Sequence, residues 1–207
     1  MTNAAFFSSN EEDKTINCNL CPCRCTIQNG YFGACKVRGN KNGKGLIPFY
    51  GAVSALALDP IEKKPLFHFR PGSKILSAGF TGCNMRCPFC QNWQLSQAAD
   101  VAAKKMLPGD IVSAALHAAE SPQAIIQSLP LGKRTERTHE NSQAIAYTYS
   151  EPLVHIEFLL DCMALAKRHG IANVLVTHGC VNEEAAKEIL PLTSAANIDL
   201  KCFSKET

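Results

Sequence analysis

Cys83, Cys87 and Cys90 pack three thiols into one short loop at C-x3-C-x2-C spacing, behind Gly79 and Gly82. Thiolates at this density select soft metals: zinc, copper(I) or an iron-sulfur cluster. A cubane [4Fe-4S] cluster usually takes four cysteines, so three local ones leave one iron open to an outside ligand. An open iron is a place for chemistry. The competing reading is a structural zinc site completed by a distant Cys or His, although structural zinc pairs are usually C-x2-C with a matching second pair.

A second group lies upstream, where Cys18, Cys21, Cys25 and Cys35 follow C-x2-C-x3-C-x9-C with Cys23 as an extra thiol. Four thiolates suit zinc or a second iron-sulfur cluster, and a short loop-rich module favours zinc. The chain has eleven cysteines, an odd number, and its first residues carry no secretory signal. That combination points to metal ligation over disulfides, in a reducing, cytoplasmic setting. The remaining candidates are weaker. The six histidines show no metal-ligand spacing, and His178 stands out only because it closes a strand-like run. Cys162 reads as a buried small hydrophobe, and Cys180 and Cys202 each follow a strand-like run. Gly39 to Gly45 lacks the Gly-Lys-Ser/Thr ending of a phosphate loop and reads as a hairpin turn.

These groups need a scaffold, and the composition supplies one. With 207 residues, 46% hydrophobic and 19% charged, the chain can bury a sizeable core, which argues against disorder. A net charge of +3 with scattered Lys and Arg implies no nucleic-acid partner. No apolar run approaches the roughly 20 residues that span a bilayer. Two parts differ in composition. Residues 16–72 hold a Cys-, Gly- and Asn-rich module that lacks the apolar mass for its own core, followed by one or two strands and a proline-rich loop. Residues 73–207 alternate strand-length and helix-length apolar runs: 75–80, 110–119, 144–149, 153–168, 173–178, 182–190 and 197–200. This is an α/β pattern of the βαβαβαβ type, which implies a parallel sheet with its chemistry at the carboxyl ends of the strands. Residues 121–143 interrupt it and read as a surface insertion.

The motif C-x3-C-x-aromatic-C after the first strand of such a unit resembles the radical S-adenosylmethionine (SAM) superfamily, and Cys90-Gln-Asn92 resembles the variant in pyruvate formate-lyase activating enzyme. The runs Asp59 to His68, Ala146 to Pro152 and Asn197 to Lys201 are together similar to the radical proteins of the AmmeMemoRadiSam system. The resemblance spans about residues 16–203. It implies a partial parallel (β/α) barrel, a [4Fe-4S] cluster on Cys83, Cys87 and Cys90, and SAM on the fourth iron. It also implies a cofactor-binding set of Phe89 beside the adenine, Asn92, Glu151 at the ammonium, Thr177, and Asp199 and Lys201 at the ribose and carboxylate. The family's four-cysteine pattern falls on 18, 21, 25 and 35. No catalytic residue beyond the cluster is implied. Reductive cleavage of SAM needs a low-potential donor of the flavodoxin or ferredoxin type and yields a radical that abstracts hydrogen from a partner, in a protein substrate for a glycyl-radical activase. Where activating enzymes carry two glycines this chain has Tyr149 and Ser150, and Val176 replaces an aspartate, which argues against a cation site there.

The rival class is a non-catalytic zinc or iron-sulfur module, which has no use for Glu151, Asp199 and Lys201 at three further strand ends. A six-unit partial barrel needs two strands more than the four counted here, so the sequence also predicts a truncated form. Its last strand would leave Ile198 and Leu200 at an uncovered edge unless a second chain supplies the missing strands.

Overall fold

The alternation of side chains along four apolar strands dictates a sheet with two buried faces, and the computed structural model has that sheet. It describes residues 4–10, 12–97, 101–120 and 141–201. The amino-terminal segment forms short strands β1 (Phe7–Ser9), β2 (Ile16–Cys18) and β3 (Thr26–Ile27), then the hairpin β4 (Gly39–Lys41) and β5 (Lys44–Leu46). The main sheet begins with β6 (Ala52–Pro60) and β7 (Lys74–Phe80). After the short helix α1 (Trp93–Ser96) come β8 (Lys104–Lys105), α2 (Pro108–Glu120), β9 (Asn141–Thr148), α3 (Ile156–Arg168), β10 (Ala172–Thr177), α4 (Glu183–Ile189) and β11 (Ala195–Ile198).

The sheet order is β11-β10-β9-β7-β6-β8. Neighbours among β7, β9, β10 and β11 are parallel, in chain order and without reversal, which brings their carboxyl ends to one rim. Two findings depart from the sequence reading. The sheet is mixed: β6 pairs antiparallel with β7 from Val53 to Pro60, so a strand grouped with the amino-terminal module completes the main sheet across residue 72. The last strand also ends at Ile198, before the Asp199 to Lys201 motif. Residues 121–140 of the expected insertion, and Cys202, lie outside the described residues. Among the described residues no helix is long and apolar enough to cross a membrane.

On one face Leu76, Ala78, Phe80, Ile145, Tyr147 and Leu175 pack against Ile111 and Ala115 of α2 and Ile156, Leu159 and Met163 of α3. Ile16, Leu20 and Ile27 join the same cluster, so the few apolar residues of the amino-terminal segment extend the main core. The opposite, concave face carries smaller residues, Ala144, Ala146, Ala172 and Val174 with Ile75, closed at its amino end by Ile61, Leu66 and Phe69. Small side chains there leave space toward the carboxyl rim. Helix α3 ends where Gly170 adopts a left-handed φ of 70°. Ile171 N–H then reaches the Ala166 carbonyl at 3.0 Å and Gly170 N–H the Lys167 carbonyl at 3.1 Å, a Schellman closure.

A buried ion pair ties the amino-terminal segment to α3. The Arg38 guanidinium donates to Glu157 Oε2 at 2.7 Å, with the side chains 1% and 7% exposed, and Ala5 N–H donates to Glu157 Oε1 at 2.9 Å. His155 is also buried, and its Nε2 donates to the Thr81 carbonyl at 2.7 Å. Burial pushes its pKa down to about 4, although the Thr81 carbonyl acts in the opposite sense.

Arg38→Ala strands the Glu157 carboxylate, so equilibrium urea unfolding should show a loss of about 3–5 kcal/mol. An apolar pair at 38 and 157 should recover most of it. Protonation of His155 favours the unfolded chain, because its folded pKa lies below the ordinary 6.5. Stability should therefore be full above about pH 6.5 and fall as pH drops toward about 4. His155→Gln should flatten that limb of a denaturation-against-pH series.

Candidate active site

The cysteine loop starts where β7 leaves the sheet. His155 fixes the Thr81 carbonyl, and Gly82 N–H donates to the Leu95 carbonyl at 3.2 Å. Gly82 has φ of 82°, and a Cβ there would stand 2.5 Å from Val37 Cγ1 and 2.6 Å from the Cys35 carbonyl oxygen. Only glycine allows the amino-terminal segment so close to the loop. Arg86 adds a hydrogen bond to the Ala34 carbonyl, and the exposed Cys23 thiol lies 3.8 Å from the Asn84 carbonyl. The two cysteine groups thus share a wall.

Cys83, Cys87 and Cys90 are all half-buried and line one cavity of about 550 Å³, well within the range of small-molecule sites. Cys83 Sγ accepts from Met85 N–H at 3.4 Å, and Cys90 Sγ lies 3.3 Å from Ser96 Oγ. Burial pushes the Cys83 thiol up to about 11, the Met85 N–H offsetting this in part while Glu151 adds to it. A soft cation is what would bring such a thiol to its thiolate. Among the described residues no three Cys, His, Asp or Glu side chains stand close enough to hold a metal ion as placed. The fit therefore rests on the donor set: three thiols facing a cavity with room for further ligands.

The same cavity receives Thr148, Glu151, Val176, Thr177, His178, Asn197, Asp199 and Lys201 from the next three strand ends, with Phe89 and Asn92 from the cysteine loop. Phe89 is 67% exposed, an uncovered ring at the mouth. Glu151 is 2% exposed and braces the rim. Its Oε1 accepts from Leu153 N–H at 3.0 Å and Thr177 Oγ1 at 2.7 Å, and its Oε2 from His178 N–H at 3.0 Å. His178 Nδ1 accepts from Cys180 N–H, which leaves Nε2 as the donor, 2.9 Å from Asn84 Oδ1 and 3.0 Å from Glu151 Oε2. A chain of hydrogen bonds therefore runs from β9 through β10 to the residue after Cys83. Lys201 and Asp199 pair at 2.9 Å just beyond β11. Ser150 Oγ and Asn197 Oδ1 are buried without a protein partner, two open positions for a polar ligand in this lining. Cavity volume, thiols and open polar atoms together fit a cluster with a polar small molecule such as SAM.

Sequence reasoning missed the concave side. Tyr149 has φ of 71°, and its hydroxyl donates to Asp59. Asp59 also accepts from Lys63 at 2.9 Å, and from Lys64 and Ser77 at 2.8 Å each. Burial opposes ionisation, yet the Lys64 ammonium and Tyr149 hydroxyl hold Asp59 well below the usual carboxylate range. The available signal was the Asp59 to His68 run, which places two lysines after an aspartate, and the tyrosine where activating enzymes carry glycine. In the amino-terminal group Cys18, Cys21, Cys23, Cys25 and Cys35 line a small cavity of about 10 Å³ with Arg38, whose buried Nε has no partner.

The comparisons agree with this geometry. The chain is 38% identical over 199 residues to an uncharacterized protein of Methanocaldococcus jannaschii, covering 95% of this chain and 53% of that protein. It is 25% identical over 130 residues to 7-carboxy-7-deazaguanine synthase of Thermococcus kodakarensis, covering 63% of this chain and 50% of the synthase. The chain spans about half the length of these curated relatives. Residues 79–207, from the last two residues of β7 through the cysteine loop and the three following strand ends, match the Radical SAM superfamily. A parallel α/β sheet, three cysteines beyond its first parallel strand and polar groups at every later strand end place this chain in the radical SAM superfamily.

Proposed function

We propose that this chain is a SAM-cleaving radical enzyme of the AmmeMemoRadiSam type, with Cys83, Cys87 and Cys90 holding three irons of a [4Fe-4S] cluster. The observation that supports this best is one cavity lined both by the three thiols and by polar residues from the ends of β9, β10 and β11. A structural metal site needs no such second set. When bound together, cluster and SAM supply reductive cleavage of the S–C5′ bond, with one electron from a flavodoxin- or ferredoxin-type donor, to give methionine and a hydrogen-abstracting 5′-deoxyadenosyl radical.

The chain's own residues orient and enclose. Phe89 offers its face to the adenine, while Asn92 and Thr177 add polar contacts at the rim. Glu151 keeps its oxygens in the β9–β10 brace and supplies the negative charge that draws the cofactor ammonium to this part of the rim. Asp199 and Lys201 take the ribose and the methionine carboxylate. Tyr149 and Ser150 narrow the approach where activating enzymes have glycines, which favours a small hydrogen donor over a protein glycyl loop. The amino-terminal group of Cys18, Cys21, Cys25 and Cys35 holds structural zinc in this reading. Four thiols on a short loop-rich segment suit zinc, and the Arg38 Nε–H can donate to a thiolate.

Anaerobic reconstitution followed by electron paramagnetic resonance tests the assignment. The reduced chain should show a cluster signal that shifts on SAM addition, and Cys83→Ala, Cys87→Ala or Cys90→Ala should each abolish it. A full cubane signal in the triple variant would contradict the assignment. Glu151→Gln should retain the cluster and weaken SAM binding by roughly tenfold or more, read by equilibrium dialysis.

A further inference from the structure

The cofactor reading occupies the upper end of the cavity and leaves its floor without a task. Strand β6 runs antiparallel to β7, so Asp59 stands opposite Ile75, near the amino end of β7. The neighbouring Ser77, which donates to Asp59, lies four residues before Thr81, or about 13 Å below the start of the cysteine loop at the usual strand rise. At this level Lys63 and Lys64 line the cavity, each donating to a different oxygen of Asp59. Two ammonium groups on one carboxylate leave one positive charge uncompensated. Lys64 is 2% exposed and its charge is met by Asp59, so the positive charge beyond that pair is the one on Lys63. Lys63 is 67% exposed and so stays accessible to a solute while it holds Asp59. At the upper end Asp199 and Lys201 balance each other, and Glu151 supplies the negative pole. The cavity is therefore polarised along its length.

Tyr149 is built into this floor. A bulky residue in the left-handed region is strained and persists where its surroundings over-determine it. Three contacts do so here: the hydroxyl on Asp59, the Lys64 ammonium 4.5 Å from the ring centroid, and the ring against Gly79. A Cβ at Gly79 would stand 2.6 Å from Tyr149 Cδ2. The tyrosine and the aspartate together hold the two lysines in place.

We propose that Lys63 and Lys64, aligned by Asp59 and Tyr149, form a subsite for the anionic group of a small hydrogen-donor substrate, a carboxylate or a phosphate. The substrate role rests on the cofactor reading given above; the anion binding itself does not.

Isothermal titration of the full chain under anaerobic conditions tests it, with malonate and inorganic phosphate as probes and malonamide as the uncharged counterpart. The wild-type chain should bind one or both anions saturably and malonamide not at all. Lys63→Ala and Lys64→Met should each weaken the anion by roughly tenfold. Saturating SAM should leave the anion bound. Lys64→Met removes a buried partner of Asp59 and can unfold the chain, so the exposed Lys63→Ala carries the test in that event. No anion binding, wild-type affinity in Lys63→Ala, or displacement of the anion by SAM would overturn the proposal. Anion binding that follows these expectations in a chain that fails to bind SAM would support the subsite and overturn the cofactor reading instead.

Discussion

The Glu151 carboxylate is the joint on which the site depends. It is buried and ionisable, so it persists only with its oxygens fully engaged, and the donors that engage it come from its own loop, from Thr177 and from His178. Those donors fix the end of β9 against the end of β10. Because His178 also reaches Asn84, the position of the cysteine loop follows from the same joint. The ends of three separate strands, β7, β9 and β10, become one surface through a short chain of hydrogen bonds.

Below that rim, side-chain volume decides what the sheet can hold. Large residues face α2 and α3, where they make the core, and small ones face the concave side, where they leave the cavity. The amino-terminal segment adds its apolar residues to the first face and its backbone to the back of the cysteine loop, across Gly82. Metal ligation at Cys18, Cys21, Cys25 and Cys35 would therefore stiffen the wall behind Cys83.

Much of this was legible in the sequence because it rests on local signals. The short apolar runs of β7, β9 and β10, the helical period of α3 and the Gly170 stop all lie within short windows. The three cysteines and the polar residues after each strand were likewise visible by type and position. What sequence could not show depends on contacts between distant segments. β6 has no mark that assigns it to β7 across the intervening loop, and β11 begins two residues before its expected run because its register is set by pairing with β10. Tyr149 at positive φ makes sense only with Asp59, Lys64 and Gly79 already in place, three residues from three different segments.

The central claim is that the three-thiol loop holds a cluster whose open iron is met by SAM within this cavity. Electron-nuclear double resonance on the reduced, reconstituted chain, with SAM labelled by 15N at its amino group and 13C at its carboxylate, tests that contact directly. The account predicts hyperfine coupling of both labels to the cluster. A reduced cluster on Cys83, Cys87 and Cys90 with saturating SAM and coupling to neither label would contradict it.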